Sequence, residues 1–172
     1  MTVLNPDHLF EQAEYLAERR VRGRPREVDI RRAISTAYYG LFHFTLARMA
    51  DLLVGASLRP TQIYQLAYRS VSHKTLRDLC NEALKARPSQ RFSQFLPPGG
   101  FGPDVKAFSA GATELQERRH TADYDPTESL LSTDAQSAVT TARTARSHFM
   151  AAGSDEQRTF LCLLAFPPRG PA

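Results

Sequence analysis

A chain of 172 residues, 42% apolar and 23% charged, has the length for one hydrophobic core but not for two. It has no tryptophan, and its apolar stretches are too short to cross a bilayer. The start, Met1-Thr2-Val3-Leu4-Asn5-Pro6, lacks the basic-then-apolar layout of a signal peptide, so a cytoplasmic protein with no membrane partner is expected.

The net charge of +4 is modest but unevenly spread, with Arg19, Arg20, Arg22, Arg24, Arg26, Arg31 and Arg32 close together. Guanidinium forks match phosphate oxygens, so this segment suits phosphate; equally, Arg19 to Arg26 suit a solvated helix end and loop. Cys80 and Cys162 each lie in a helix-like apolar pattern without His or Cys neighbours at metal spacing. They read as two buried thiols, with no disulfide, metal site or cofactor expected.

Helical periodicity runs through nearly the whole chain, which predicts an all-α fold. The first helix begins near Pro6-Asp7, presents Leu9, Phe10, Ala13, Leu16 and Ala17 on one face, and ends before Gly23 and Pro25. The second, from about Pro25 to Val54, is the longest. It carries two apolar stripes: Ile30, Ile34, Ala37, Leu41 and Phe44, then Tyr38, Phe42, Leu46, Met49 and Leu53. Two stripes require cover from two sides, the pattern of a central bundle helix.

A turn over Gly55 to Pro60 leads to a helix near Thr61 to Tyr68 and another from the cap Ser72 to about Lys85. His73, at that helix start, reads as exposed. Four prolines and three glycines between Pro88 and Pro103 predict a loop, whose Arg91, Phe92, Phe95 and Phe101 suit either base stacking or packing onto the bundle. A helix from about Asp104 to Asp123 is stopped by Asp125-Pro126. The next begins at Ser132-Thr133-Asp134 with a stripe of small residues, Ala135, Ala138, Ala142 and Ala145, then Phe149. A last short helix after Gly153 shows Phe160, Leu161, Leu163 and Leu164. One domain over 1–166 and a disordered tail over 167–172 are expected.

Polar residues on apolar faces carry the functional information. On the helix ending at Asp123 the inward stripe is Val105, Phe108, Ala112, Leu115, Arg119, Ala122. Arg119 therefore points to the core side and needs a partner, and Asp123 lies one turn on, with Tyr124 beside it. On the long helix Arg32, Thr36, Tyr39 and His43 form a polar stripe between the two apolar ones, with Arg31 and Ser35 adjoining. If the two stripes meet, the Arg, Tyr, His and Asp inventory suits an anionic phosphate and acid/base work near neutral pH. An Arg-Asp-Tyr network that only fixes helix register fits the same residues.

The segment Arg31-Arg32-Ala33-Ile34-Ser35-Thr36-Ala37-Tyr38-Tyr39-Gly40-Leu41-Phe42-His43, followed by Arg119-His120-Thr121-Ala122-Asp123-Tyr124-Asp125-Pro126, resembles bacterial HEPN-domain proteins. The resemblance covers most of residues 7–165. It implies an up-and-down bundle of four to six helices in which the Tyr-Tyr helix packs on the helix ending in Ala-Asp-Tyr. It also implies a homodimer with its site between protomers. Family members include metal-independent ribonucleases of defence and toxin–antitoxin systems, and nucleotide-binding or scaffolding partners of nucleotidyltransferases. The candidate site residues are Arg119, His120, Asp123 and Tyr124 as the catalytic set, with Arg31, Arg32, Tyr39 and His43 as ligand-binding.

The family's ribonucleases carry an Arg followed four to six residues later by a His. After Arg118 or Arg119 those positions hold Asp, Tyr, Asp and Pro, and the nearby His120 projects about 100° around the helix from Arg119. Arg143 and His148 match the spacing, but five helical steps turn one well off the other's face, so the match reads as chance. The expected function is a HEPN-like nucleotide- or RNA-associated accessory protein. The alternatives are a metal-independent ribonuclease and a structural bundle; RNA, a nucleotide, a nucleotidyltransferase or an antitoxin are the partners in view.

Overall fold

The computed structural model describes residues 4–18, 23 and 25–168. Among them are eight α-helices and no strand: α1 (Pro6–Glu18), α2 (Glu27–Leu53), α3 (Gln62–Tyr68), α4 (His73–Leu84), α5 (Gln90–Ser93), α6 (Pro103–Tyr124), α7 (Ser132–Ala151) and α8 (Ser154–Ala165), with a single 3-10 turn at Ala56–Leu58. The all-α expectation holds, but the helices outnumber the four to six anticipated. The stretch between α2 and α6 breaks into three helices, and α5 is a single turn inside the segment read as loop. A four-residue helix between prolines leaves no periodicity to detect.

Helix α2 is central, touching α1, α3, α6, α7 and α8. Both of its apolar stripes are buried as the pattern required, except Leu53 at the last turn. Helices α6 and α7 form a close pair because small residues meet there: a Cβ added to Gly111 would lie 2.9 Å from the Ala145 Cβ. Gly40 does the same for α1 on α2, lying against the ring of Phe10.

A cluster of phenylalanines locks four elements together. Phe149 of α7 packs on Phe108 of α6 at 4.8 Å between ring centroids, and on Phe160 of α8 at 5.7 Å. Phe101 reaches Phe160 at 5.8 Å, and Phe92 is also buried, so the loop aromatics other than the exposed Phe95 pack onto the bundle. Such edge and tilted pairs add about 1 kcal/mol each beyond the area they bury.

Helix starts follow from local chemistry. Ser72 accepts the Thr75 backbone N–H at 3.1 Å, and the Asp134 carboxylate accepts that of Leu131 at 2.7 Å. Both cysteines are free thiols. Cys80 is fully buried, and that burial pushes its pKa up to about 12, whereas Cys162 is only half-buried, unlike the two-buried-thiols reading. No helix among the described residues is long and apolar enough to cross a membrane. Arg19, Arg20, Arg22, Arg24 and residues 169–172 of the tail lie outside the described residues.

Candidate functional site

The polar stripe of α2 meets the last turns of α6, and the meeting point is Arg119. Its Nη2 donates to the Tyr39 hydroxyl at 2.9 Å and more weakly to that of Tyr124 at 3.5 Å. Its guanidinium also lies over both rings, 5.5 Å from the Tyr39 centroid and 5.3 Å from that of Tyr124. Planar stacking of this kind is a property of arginine that lysine does not share.

Asp123 completes the clasp. Its Oδ2 is 2.8 Å from Arg119 Nε but off the N–H direction, so the two attract as charges without a directed hydrogen bond. The other carboxylate oxygen, Oδ1, accepts from the Ser35 hydroxyl, which ties the end of α6 to α2. Burial works against the Arg119 charge, but Tyr39, Asp123 and Tyr124 outweigh it and raise its pKa, so the group is cationic throughout the physiological range. Nη1 makes no hydrogen bond to the described residues and is not buried. One face of the guanidinium edge is thus open to an incoming acceptor.

Two imidazoles stand behind Tyr39. His43, one turn along α2, stacks on Tyr39 at 6.2 Å, and its Nδ1 is 2.8 Å from the Tyr68 hydroxyl of α3. His73, at the start of α4, lies 5.7 Å from Tyr39 and 4.0 Å from Phe42, with Nδ1 2.8 Å from the Tyr38 hydroxyl. His73 is half-buried, which corrects the reading of it as exposed. The chain carried a signal for it: His73, Leu76, Cys80 and Ala83 share one face of α4, so the inward-polar logic that picked out Arg119 applies to His73 as well.

Burial lowers the pKa of both histidines, with His73 adding to the effect on His43 and Arg119 adding to that on His73. Both are therefore neutral near pH 7. The ordinary value of 6.5 applies once the chain unfolds, so below it the unfolded state binds more protons than the folded one. Stability is expected to fall as pH drops below about 6.5. Replacing both histidines by phenylalanine should flatten that part of a melting-temperature-versus-pH curve. An unchanged slope in the double variant would rule out these two groups as its source.

The remaining expected site residues are dispersed. His120 is exposed, with its ring tilted against that of Tyr124 at 5.1 Å between centroids. Arg32 is exposed on the α2 stripe. Arg31 is committed to the chain: Nη1 donates to the carbonyls of Ala122 and Asp125, and Nη2 to that of Glu128. It thus caps the C-terminus of α6 with a charge of the favourable sign instead of facing a ligand. Arg143 and His148 turn to different helices, Arg143 to Glu14 of α1 and His148 to Asp104 of α6, in keeping with a chance match in spacing.

The arrangement presents a fixed cation, stacking faces and two neutral imidazoles within one aromatic cluster, a set able to hold a phosphate and shuttle a proton. No family model matches this chain, and neither the curated proteins nor the solved structures contain a significant match to it.

Proposed function

We propose that this chain is a HEPN-like protein associated with RNA or a nucleotide, whose ligand phosphate meets the open edge of Arg119 while a base stacks on the exposed Tyr124. The observation that carries this reading is Arg119 held between two tyrosine rings with Nη1 unengaged. An arginine with donors left over can take a phosphate oxygen without breaking the contacts that it already makes. The packing of the Tyr-Tyr helix α2 on the α6 end, Ala122-Asp123-Tyr124, supports the family reading in its up-and-down bundle form. On this reading the protein belongs with a bacterial defence, toxin–antitoxin or nucleotidyltransferase-linked system, and it acts as a homodimer. Light scattering at micromolar concentration tests the dimer; a monomer there contradicts it.

Fluorescence anisotropy with a labelled single-stranded RNA and with a labelled adenine nucleotide tests the site. Wild type should bind at least one of them, and Arg119→Met should weaken that binding about tenfold or more, equivalent to about 1.4 kcal/mol. Equal binding by both proteins overturns the assignment.

A second reading, a metal-independent ribonuclease, gains from one observation: His43 and His73 stand behind Tyr39, which joins them to Arg119. They are the only imidazoles among the described residues in contact with that ring, and they occupy the role left vacant by the missing downstream histidine. Incubation of purified protein with RNA, with chelator present throughout, decides it. Cleavage that disappears in His73→Ala supports this reading, and intact RNA with wild type ends it.

A further inference from the structure

A cleft separate from Arg119 lies on another part of the bundle. It has a volume of about 600 Å³ and lies between the start of α1, the C-terminal half of α2 and α7. Arg48 is nine residues beyond Tyr39 on α2, about 13 Å along the helix axis, and on a different side of it. This volume falls within the range of small-molecule sites.

Three guanidiniums line the cleft: Arg48 from α2, Arg59 beyond the 3-10 turn, and Arg146 from α7. Two of them have carboxylate partners. Arg59 forms a two-pronged pair with Asp51, at 2.9 and 2.6 Å, and Arg146 pairs with Asp7 at 2.5 Å. Arg48 has none at contact distance among the described residues. Both oxygens of Asp51, the acid one turn away, are used by Arg59, and Oδ1 also accepts from the Tyr64 hydroxyl at 2.9 Å. The Nε of Arg48 is buried without a hydrogen bond, and Nη2 reaches only a neutral acceptor, Gln157, at 3.3 Å. A half-buried cation without a carboxylate at contact distance is a costly arrangement that a nearby anion relieves through its charge.

Apolar side chains also line the cleft. Phe44 and Met150 line it, and the Arg146 guanidinium lies 5.4 Å above the Phe44 ring. The start of α1 does not supply the anion site, because the Asp7 N–H is already taken by the Asn5 side chain at 3.1 Å. Cationic and apolar lining together select a ligand with the same two parts.

We propose that this cleft is a second binding site, for a small organic anion that carries a phosphate or carboxylate on an aromatic or apolar body. The charged head sits against Arg48, between Arg59 and Arg146, and the body covers Met150 and Pro60. This assignment does not depend on the reading of the Arg119 site.

Isothermal titration with 1-naphthyl phosphate, which has both parts, tests it, with inorganic phosphate and 1-naphthol as single-part probes. Wild type should bind 1-naphthyl phosphate saturably and more tightly than either single-part probe. Arg48→Met, which keeps the length of the side chain, should weaken binding about tenfold, and should do so to the same extent in an Arg119→Met background, where the other proposed phosphate site is removed. Should Arg48→Met fail to fold, Arg146→Met carries the same test. The proposal is overturned by an absence of saturable binding to wild type. It is equally overturned if the binding that remains in the Arg119→Met background survives the Arg48 or Arg146 substitution.

Discussion

Replacing Gly111 by leucine is expected to cost about 3 kcal/mol or more, a large part of the total stability of a domain this size. Even one added carbon would lie 2.9 Å from the Ala145 Cβ, with the Thr141 methyl at 3.5 Å, both on the facing helix α7. A leucine must therefore push α6 and α7 apart. That separation would unseat Phe108 from Phe149, the tightest phenylalanine contact of the core. Gly111→Ala is subtler, because alanine favours the helix by about 1 kcal/mol while the overlap costs about as much. The pair Gly111→Ala with Ala145→Gly transfers the methyl from one helix to the other. Denaturant melts should show it to be more stable than the sum of the two single variants, by at least about 0.5 kcal/mol. Simple additivity would mean that the close approach does not govern this interface.

The second large effect is expected at Arg31. Arg31→Met keeps the aliphatic stem but strands three carbonyls, those of Ala122, Asp125 and Glu128, at the turn that ends α6. Hydrogen bonds from a charged donor to largely shielded acceptors are worth roughly 1.5–3 kcal/mol each, but water reaches part of this turn. A total loss of about 2–3 kcal/mol is expected. Hydrogen exchange should localise it: the amides of the last turn of α6 and of residues 125–128 should lose protection, while those of α7 keep theirs. Uniform loss over the bundle would show that Arg31 stabilises the whole fold rather than this turn. Because Asp123 lies in the same turn, the variant should also loosen the clasp around Arg119.

These two positions show what the chain made legible and what it hid. The stripes of α1, α2, α6, α7 and α8 were readable because each repeats at helical spacing over several turns, and the small residues of α7 announced the close approach that Gly111 completes. The inward position of Arg119 and its pairing with Asp123 followed from the same periodicity. The part Arg31 plays at the end of α6 is not legible in the sequence because its partners are backbone carbonyls, which every residue has and no sequence pattern marks. His73 was misjudged because its place beside a helix cap suggested solvent, although it continues the buried face of α4. The Tyr38 hydroxyl that holds it comes from 35 residues away, and only the folded chain brings the two together. Arg48 lay on α2 without breaking either apolar stripe, so nothing set it apart until the cleft was formed.

The central claim is that Arg119, Tyr39, Tyr124 and the half-buried His43 and His73 act as one ligand site. Side-chain NMR tests it most directly, by following the imidazole Cε1–H signals of His43, His73, His120 and His148 during titration with a short single-stranded RNA or an adenine nucleotide. The account predicts that His73, His43 and His120 shift and saturate together, that His148 on the far end of α7 stays still, and that Arg119→Met removes the shifts while the protein keeps its fold. Shifts confined to His148, or the same titration in wild type and Arg119→Met, would contradict it.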